Sequence, residues 1–168
     1  MTAKVLVAGI GNVFLGDDAF GSEAARRLLQ RQWPAAVRVE DFGIRGFDLT
    51  FALMEGYETI VMVDATPRGG APGTLYCIEA DVSQVPQTGV EPHGMNPMRV
   101  LATARSMGAK FQKAYIVGCE PDPASVDPDG PGSMGLSPVV EASLDEAVRM
   151  VEELVERALQ GRSFTEGA

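Results

Sequence analysis

Three aspartates in this 168-residue chain lie at the ends of predicted strands, where ligand-binding residues of α/β sheets usually occur. Asp17 and Asp18 follow the apolar run at residues 4–8, and Asp64 closes a second apolar run at residues 59–65. The carboxyl ends of parallel strands meet at one edge of an open α/β sheet, and a flavodoxin-like strand order would make these two runs neighbours. We therefore expect the carboxylates to converge at that edge.

The only histidine of the chain, His93, lies in the turn-rich segment 91–97 rather than on an apolar face. Its imidazole is therefore free to point into a site. One imidazole and two carboxylates, here Asp18 and Asp64, suit a borderline divalent ion such as nickel, zinc, iron or manganese, and these side-chain types do not choose among the four. The sequence is thus compatible with a metal site.

Each of these residues also has an interpretation without chemistry. Asp17 or Asp18 at a helix start would cap free N–H groups and interact favourably with the helix dipole. Asp64 at a strand end could accept backbone N–H groups in a turn, and His93 could be a solvated surface residue. Taken singly, these residue types favour the structural interpretation.

The glycines at positions 9 and 11 suggest a dinucleotide-binding loop, but Phe14 occupies the place of the third glycine in G-x-G-x-x-G. We reject a nucleotide cofactor on this ground. Gly9 and Gly11 instead indicate either a tight turn with positive φ or a close backbone approach.

The elements that must position these residues follow from the spacing of apolar side chains. Short apolar runs predict strands at residues 4–8, 37–42, 59–65, 74–79 and 113–118. Amphipathic spacing predicts a helix from Phe20 until Trp33 and Pro34 end it, and further helices at 47–55, 96–107 and, as one continuous element capped by Ser137, 138–160.

This order predicts an α/β fold: a three-layer αβα sandwich around a mostly parallel, twisted sheet of about five strands, of the phosphorylase/hydrolase-like kind. Too few residues separate Asp64 from Thr74 for a crossover helix, so the strand at 74–79 should run antiparallel at an edge. We expect residues 1–160 to form a single catalytic domain and residues 161–168 to fray. The irregular stretch 120–137 reads as a surface binding loop.

Composition and charge exclude several classes of protein. Apolar residues make up 45% and charged residues 22%, as in soluble globular domains, and the net charge of -9 without a basic run argues against nucleic acid as a partner.

Cys77 and Cys119 are too far apart for a zinc motif and should be reduced thiols. No apolar run is long enough for a signal peptide or membrane insertion, so we expect a cytoplasmic protein. A monomer is compatible with these features.

Six segments resemble, in order and spacing, the signature segments of the hydrogenase maturation protease family. They are GIGN at 9–12, GDDAFG at 16–21, DFGIRG at 41–46, VDA at 63–65, PHGMN at 92–96 and GCEP at 118–121. Phe42 departs from a Gly-Gly pair that is common in the family, and some members have Glu in place of Asp18. The match of all segments in register is far more specific than any one of them.

The resemblance implies an endopeptidase, grouped with the aspartic-type peptidases, that removes the C-terminal extension of a nickel-iron hydrogenase large-subunit precursor after nickel insertion. It implies that Asp18, Asp64 and His93 are both the catalytic residues and the nickel ligands. The nickel would come with the precursor rather than be held permanently. The loop with Asp41, Gly43, Arg45 and Gly46 would meet the substrate.

Two other functions stay open at this point. A non-catalytic, nickel-sensing chaperone could bind the same precursor through the same residues and leave cleavage to another protein. A nucleoside hydrolase or phosphorylase could use a similar layered fold, although no convincing phosphate loop is present. For an endopeptidase we expect water as the nucleophile, because neither thiol lies beside His93 in the sequence.

Overall fold

The computed structural model describes residues 3–81, 83, 96–127, 129 and 134–161, and these contain one five-stranded sheet ordered β2-β1-β3-β5-β4. Four strands are parallel, and β4 pairs antiparallel with β5 at the edge. The strands are β1 (Val5–Ile10), β2 (Val37–Gly43), β3 (Thr59–Ala65), β4 (Leu75–Glu79) and β5 (Lys113–Cys119). The predicted mostly parallel sheet and its antiparallel edge strand are confirmed.

The two apolar runs that precede the candidate carboxylates are neighbouring strands in the middle of the sheet, as expected. Val7 of β1 pairs with Val61 of β3, and both are fully buried. Because side chains alternate along a strand, Val7 packs on one face of the sheet and Leu6 on the other, and each face meets a layer of helices. This double coverage explains why both strands are almost wholly apolar.

Helices cover both faces of the sheet, which confirms the three-layer architecture. One apolar core joins the sheet to α1 and α5, and the other joins it to α2 and α3. Over the described part of the chain, no helix combines the length and apolar character needed to cross a bilayer. The helices are α1 (Phe20–Leu29), α2 (Gly46–Leu53), α3 (Pro97–Ser106), α4 (Pro138–Glu141) and α5 (Leu144–Leu159).

Helix α1 crosses the sheet in direct contact with β1 and β3. A Cβ atom on Gly21 would lie 2.0 Å from the carbonyl oxygen of Val63 and 2.1 Å from that of Ile10. A Cβ on Gly9 would lie 2.4 Å from the carbonyl oxygen of Gly21. Neither Gly9 nor Gly11 has a positive φ. Of the two roles predicted for them, close backbone approach is therefore correct.

Trp33, the only tryptophan of the chain, lies just beyond the end of α1. Its indole N–H donates to the carbonyl oxygen of Leu28 at 2.7 Å, and its ring packs on the core beneath α1 and α5. The same carbonyl oxygen also accepts the Arg31 N–H at 3.1 Å, so the indole adds a second bond at the C-terminus of the helix.

The prediction of one continuous helix over 138–160 is wrong, because the chain forms α4 and α5 with a break at residues 142 and 143. At the break the Ser143 N–H bonds to the carbonyl oxygen of Val140 at 3.0 Å, and the Ser143 hydroxyl donates to the same oxygen at 2.6 Å. This tighter three-residue bonding interrupts the regular helical pattern. Ser137 stands at the N-cap position, but its side chain does not cap α4.

Candidate functional site

A cavity of about 1450 Å³ opens at the carboxyl ends of β1 and β3, between α2 and α3. Asp18 and Asp64 both line it. The predicted convergence of these two carboxylates at one edge of the sheet is therefore present in the structure. Their catalytic and metal-binding roles stay predictions.

Asp18 is placed by the turn between β1 and α1. Its backbone N–H donates to the carbonyl oxygen of Leu15 at 2.9 Å, and its own carbonyl oxygen accepts the N–H of Asn12 at 3.1 Å. The side chain is left to face the cavity and does not cap the helix. Burial raises the pKa of the Asp18 carboxyl, and a hydrogen bond from the Asn12 backbone opposes part of that rise.

Asp64 lies near the end of β3, and only 8% of its surface is exposed. Burial raises the pKa of the Asp64 carboxyl well above its usual value. The negative charge of Asp18 raises this pKa further, while the backbone N–H of Ala65 lowers it. The two carboxyls therefore interact, and a cation or a shared proton between them would relieve their repulsion.

One wall of the cavity is apolar and unusually exposed. Phe47 and Phe51, one turn apart on α2, are 83% and 60% exposed, and Ile44 and Met107 are also exposed. All four line the cavity. Exposed apolar side chains that cluster around a concave site indicate a surface that binds another molecule.

Arg68 lines the cavity on the loop that follows β3. The carboxylate of Glu120 fixes this loop by accepting the N–H groups of Arg68 at 2.8 Å and Gly70 at 2.9 Å and the hydroxyl of Tyr76 at 2.7 Å. Burial acts to raise the pKa of Glu120, but these hydrogen bonds outweigh it and hold the pKa below its usual value. The Arg68 guanidinium lies 5.4 Å from the centre of the Tyr76 ring.

Asp17, unlike its neighbour Asp18, is absent from the cavity wall and fully buried. The suggestion that Asp17 or Asp18 caps a helix is wrong, because the structure shows no side-chain cap bond at the start of either the short 3-10 helix Gly16–Ala19 or α1. Asp17 accepts bonds from the loop at residues 121–137 instead.

Of the four residues predicted to form the substrate loop (Asp41, Gly43, Arg45 and Gly46), one lines the cavity. Gly46, the first residue of α2, lines the cavity. Asp41 accepts the Ser22 hydroxyl at 2.8 Å and the Gly43 N–H at 2.9 Å, so its carboxylate shapes the loop. Arg45 donates to the carbonyl oxygen of Asp41 at 2.7 Å and also bonds within the loop. Contact with a substrate stays a prediction for this segment.

His93 lies outside the described residues, so its predicted role as a ligand stays a prediction. Asn96, three positions later, lines the cavity and caps α3 by accepting the N–H of Met98 at 3.0 Å. Within the part of the chain that the structure describes, no group of three metal-binding side chains gathers, and Asp18 and Asp64 provide two carboxylates.

The apolar wall and Arg68 were missed by sequence reasoning. A signal for the wall was present in α2, where Phe47 and Phe51 are four residues apart on a short helix whose core side chains are Leu49 and Leu53. A helix that is apolar on more than its buried face indicates a second contact surface. Arg68 had no comparable signal, because its placement depends on Glu120, 52 positions away.

The buried carboxyl of Asp64 and the half-buried carboxyl of Asp18 can perform acid–base chemistry on a bound polar bond. Because the pKa values of both carboxyls are raised, each carboxylate is a better proton acceptor than an ordinary one. Cys119 is buried, does not line the cavity, and approaches the Ser143 hydroxyl at 3.3 Å. Burial raises the pKa of the Cys119 thiol, which makes a thiolate nucleophile less accessible there.

Comparison with known proteins gives one consistent result. A family model described as hydrogenase maturation protease matches residues 23–154. The hydrogenase expression/formation protein HupD of Rhodobacter capsulatus is 32% identical over 98% of this chain and 76% of its own length. The hydrogenase 2 maturation protease of Escherichia coli is 30% identical over 88% of each protein. The structure of the hydrogenase maturating endopeptidase HybD from E. coli superposes with a TM-score of 0.74 at 29% identity, covering 91% of this chain and 93% of that one.

Proposed function

This chain belongs to the hydrogenase maturation protease family, and from that premise we propose that it removes the C-terminal extension of a nickel-iron hydrogenase large-subunit precursor once nickel has been inserted. The observation that carries the proposal is the placement of Asp18 and Asp64 in one large cavity with apolar walls. The family makes the chain an endopeptidase. The position of the cut and its dependence on nickel are our proposal.

The size and lining of the cavity favour a polypeptide substrate over a nucleoside. Small-molecule sites usually occupy about 300 to 1000 Å³, whereas this cavity has about 1450 Å³. Phe47 and Phe51 extend its apolar surface outward to solvent. A flexible chain end with apolar side chains could occupy such a groove and place a peptide bond at the carboxylates.

We propose that nickel enters the site as part of the precursor and is recognised by Asp18, Asp64 and His93. The half-buried carboxylate of Asp18 and the buried carboxylate of Asp64 repel each other, and a divalent cation fits them because its charge offsets both. Oxygen and imidazole ligands suit nickel among other divalent ions. The assignment of His93 rests on the family resemblance.

For the peptide bond itself, we infer attack by water. One carboxylate of the pair accepts a proton from the water as the water oxygen bonds to the carbonyl carbon, and the same group then passes this proton to the departing amide nitrogen. The raised pKa of Asp64 makes its carboxylate the better proton acceptor. A carboxylate as the proton acceptor would place the protein among aspartic-type peptidases. We propose that it acts in the cytoplasm.

The test is the intact mass of the host's large-subunit precursor after incubation with the protein, with and without nickel loading. Asp18→Ala and His93→Ala are the active-site variants, and Asp145→Asn is the matched control because Asp145 is an exposed carboxylate paired with Arg27 on the other face of the molecule. We expect nickel-dependent loss of a C-terminal peptide with the wild-type and Asp145→Asn proteins only. Binding without any mass change would instead indicate the nickel-sensing chaperone.

A further inference from the structure

The buried carboxylate of Asp17 is engaged entirely by a distant part of the chain. Its Oδ1 accepts the backbone N–H of Ser137 at 2.6 Å. Its Oδ2 accepts the Ser137 hydroxyl at 2.8 Å and the backbone N–H of Asp122 at 2.9 Å. The residue beside Asp18 thus holds both ends of the loop at residues 121–137.

The backbone around Asp17 is fitted to the same loop. The Asp17 N–H donates to the hydroxyl oxygen of Ser125 at 2.8 Å. Gly16 has a φ of +47°, and a Cβ there would lie 2.1 Å from that hydroxyl oxygen. No side chain larger than hydrogen fits between this turn and the loop.

The segment that Asp17 holds continues the wall of the cavity. A second hollow of about 550 Å³ is lined mainly by Pro121, Pro123 and Ala124 of the loop. Pro67 and Val126 line both this hollow and the main cavity, so the two are adjoining. An extended chain that lies in the main cavity can therefore continue across Val126 into the hollow.

We propose that Asp17 is a positioning residue, which holds residues 121–127 against the Gly16-Asp17 turn so that their hollow binds an apolar side chain of the precursor next to the scissile bond. The identity of the partner rests on the proposed function. Five of the seven residues that line the hollow are proline, alanine or valine and offer apolar contacts, and the acidic residues Glu120 and Asp127 complete the lining. Asp17 touches neither substrate nor reacting atoms, and it acts through the loop.

The discriminating variant is Asp17→Asn, because an amide has the shape of the carboxylate but one of its two ends donates. Both carboxylate oxygens accept here, so either orientation of the amide turns an NH2 group toward a donor of Ser137 or Asp122. Ser137→Ala is a milder second variant that removes the hydroxyl and keeps the backbone N–H. Leu154→Ala, in the core of α5, controls for a general loss of stability.

The first measurement is the dissociation constant for a fluorescently labelled, nickel-loaded precursor, followed by fluorescence anisotropy, which needs no cleavage. We expect about tenfold weaker binding for Asp17→Asn, a smaller loss for Ser137→Ala and no change for Leu154→Ala, because the loop must be ordered upon binding once its anchor is lost. In cleavage assays Asp17→Asn should raise KM while leaving kcat within about threefold.

The second measurement is amide hydrogen exchange of the peptides that cover residues 121–127 and 134–137. We expect clearly faster exchange in Asp17→Asn, a smaller increase in Ser137→Ala, and slower exchange in the wild-type protein when the precursor binds. Unchanged exchange in Asp17→Asn, or a loss confined to kcat, would overturn the proposal while leaving the proposed function standing. Binding without cleavage by the wild-type protein would contradict the proposed protease activity alone, and absence of binding would overturn both.

Discussion

The carboxyl groups of Asp18 and Asp64 line one cavity, and the negative charge of Asp18 raises the pKa of Asp64. The pairing arises from the backbone, because β1 and β3 are adjacent strands and α1 crosses directly over their ends through Gly21. Side chains that leave neighbouring strands at the same edge of a sheet are held close without needing to bond each other.

We predict that Asp64→Asn removes a pH dependence from the stability of the protein. The folded-state pKa of Asp64 lies well above its ordinary value of 3.8, so the folded protein binds more protons than the unfolded chain between these two values. Wild-type stability should therefore fall as pH rises through that window, and Asp64→Asn should be the more stable protein at its upper end. Urea unfolding from pH 4 to pH 8 in a metal chelator measures this, with Asp145→Asn as control. Parallel wild-type and Asp64→Asn curves would contradict it.

Asp18→Asn should separate stability from activity. The substitution removes the charge that disfavours ionised Asp64, so we expect the variant to be at least as stable as wild type at neutral pH. Cleavage of the nickel-loaded precursor should slow by about 100-fold or more, as for loss of an acid–base group. Single-turnover rates and thermal unfolding on the same preparation test both parts. A variant that is less stable yet fully active would refute the idea.

The apolar wall should contribute to precursor affinity. We expect Phe47→Ser and Phe51→Ser each to raise KM by about tenfold with kcat nearly unchanged, since burying an aromatic side chain is worth roughly 1.5 to 3 kcal/mol. Both side chains are exposed in the structure, so the fold should tolerate the change. Leu159→Ser, an exposed apolar position at the end of α5, is the matched control. Equal effects at Leu159 and at the two phenylalanines would show that the wall has no special role.

Gly21→Ala should strongly destabilise the protein. Its Cβ would lie 2.0 Å from the Val63 carbonyl oxygen, so α1 must move away from β1 and β3, and we expect a loss of about 3 kcal/mol or more. Gly108→Ala is the comparison, because Gly108 has a φ of +107° but open space around its Cβ position. Backbone strain alone there should cost about 1 to 2 kcal/mol. Chemical denaturation of both variants gives the two values, and the order of the two losses is the test.

Much of the fold could be predicted because its signals are local. The apolar run at residues 59–65 corresponds residue for residue to β3, and the short link after Asp64 correctly predicted an antiparallel edge strand. The helix break at residues 142 and 143 could not be predicted, because the apolar stripe of Val140, Leu144 and Ala147 continues across it. At the break the Ser143 hydroxyl donates to the carbonyl oxygen of Val140. A serine in a helix can bond to the backbone in this way or point to solvent, and the sequence does not say which it does.

The candidate site was predictable only in part. Strand order was enough to bring Asp18 and Asp64 to one edge. The role of Asp17 was not predictable, because its partners Asp122 and Ser137 follow 105 and 120 positions later and have no shared pattern with it. Contacts between loops that are distant in sequence depend on the assembled sheet and leave no periodic signal.

The position of Trp33 has a practical consequence for spectroscopy. This single tryptophan packs beneath α1 and α5, whereas the cavity opens on the side of α2 and α3. Its intrinsic fluorescence therefore follows denaturation of the whole domain while remaining insensitive to occupancy of the groove. Folding and ligation can be monitored in one sample, with tryptophan emission for the first and an extrinsic dye on the partner for the second.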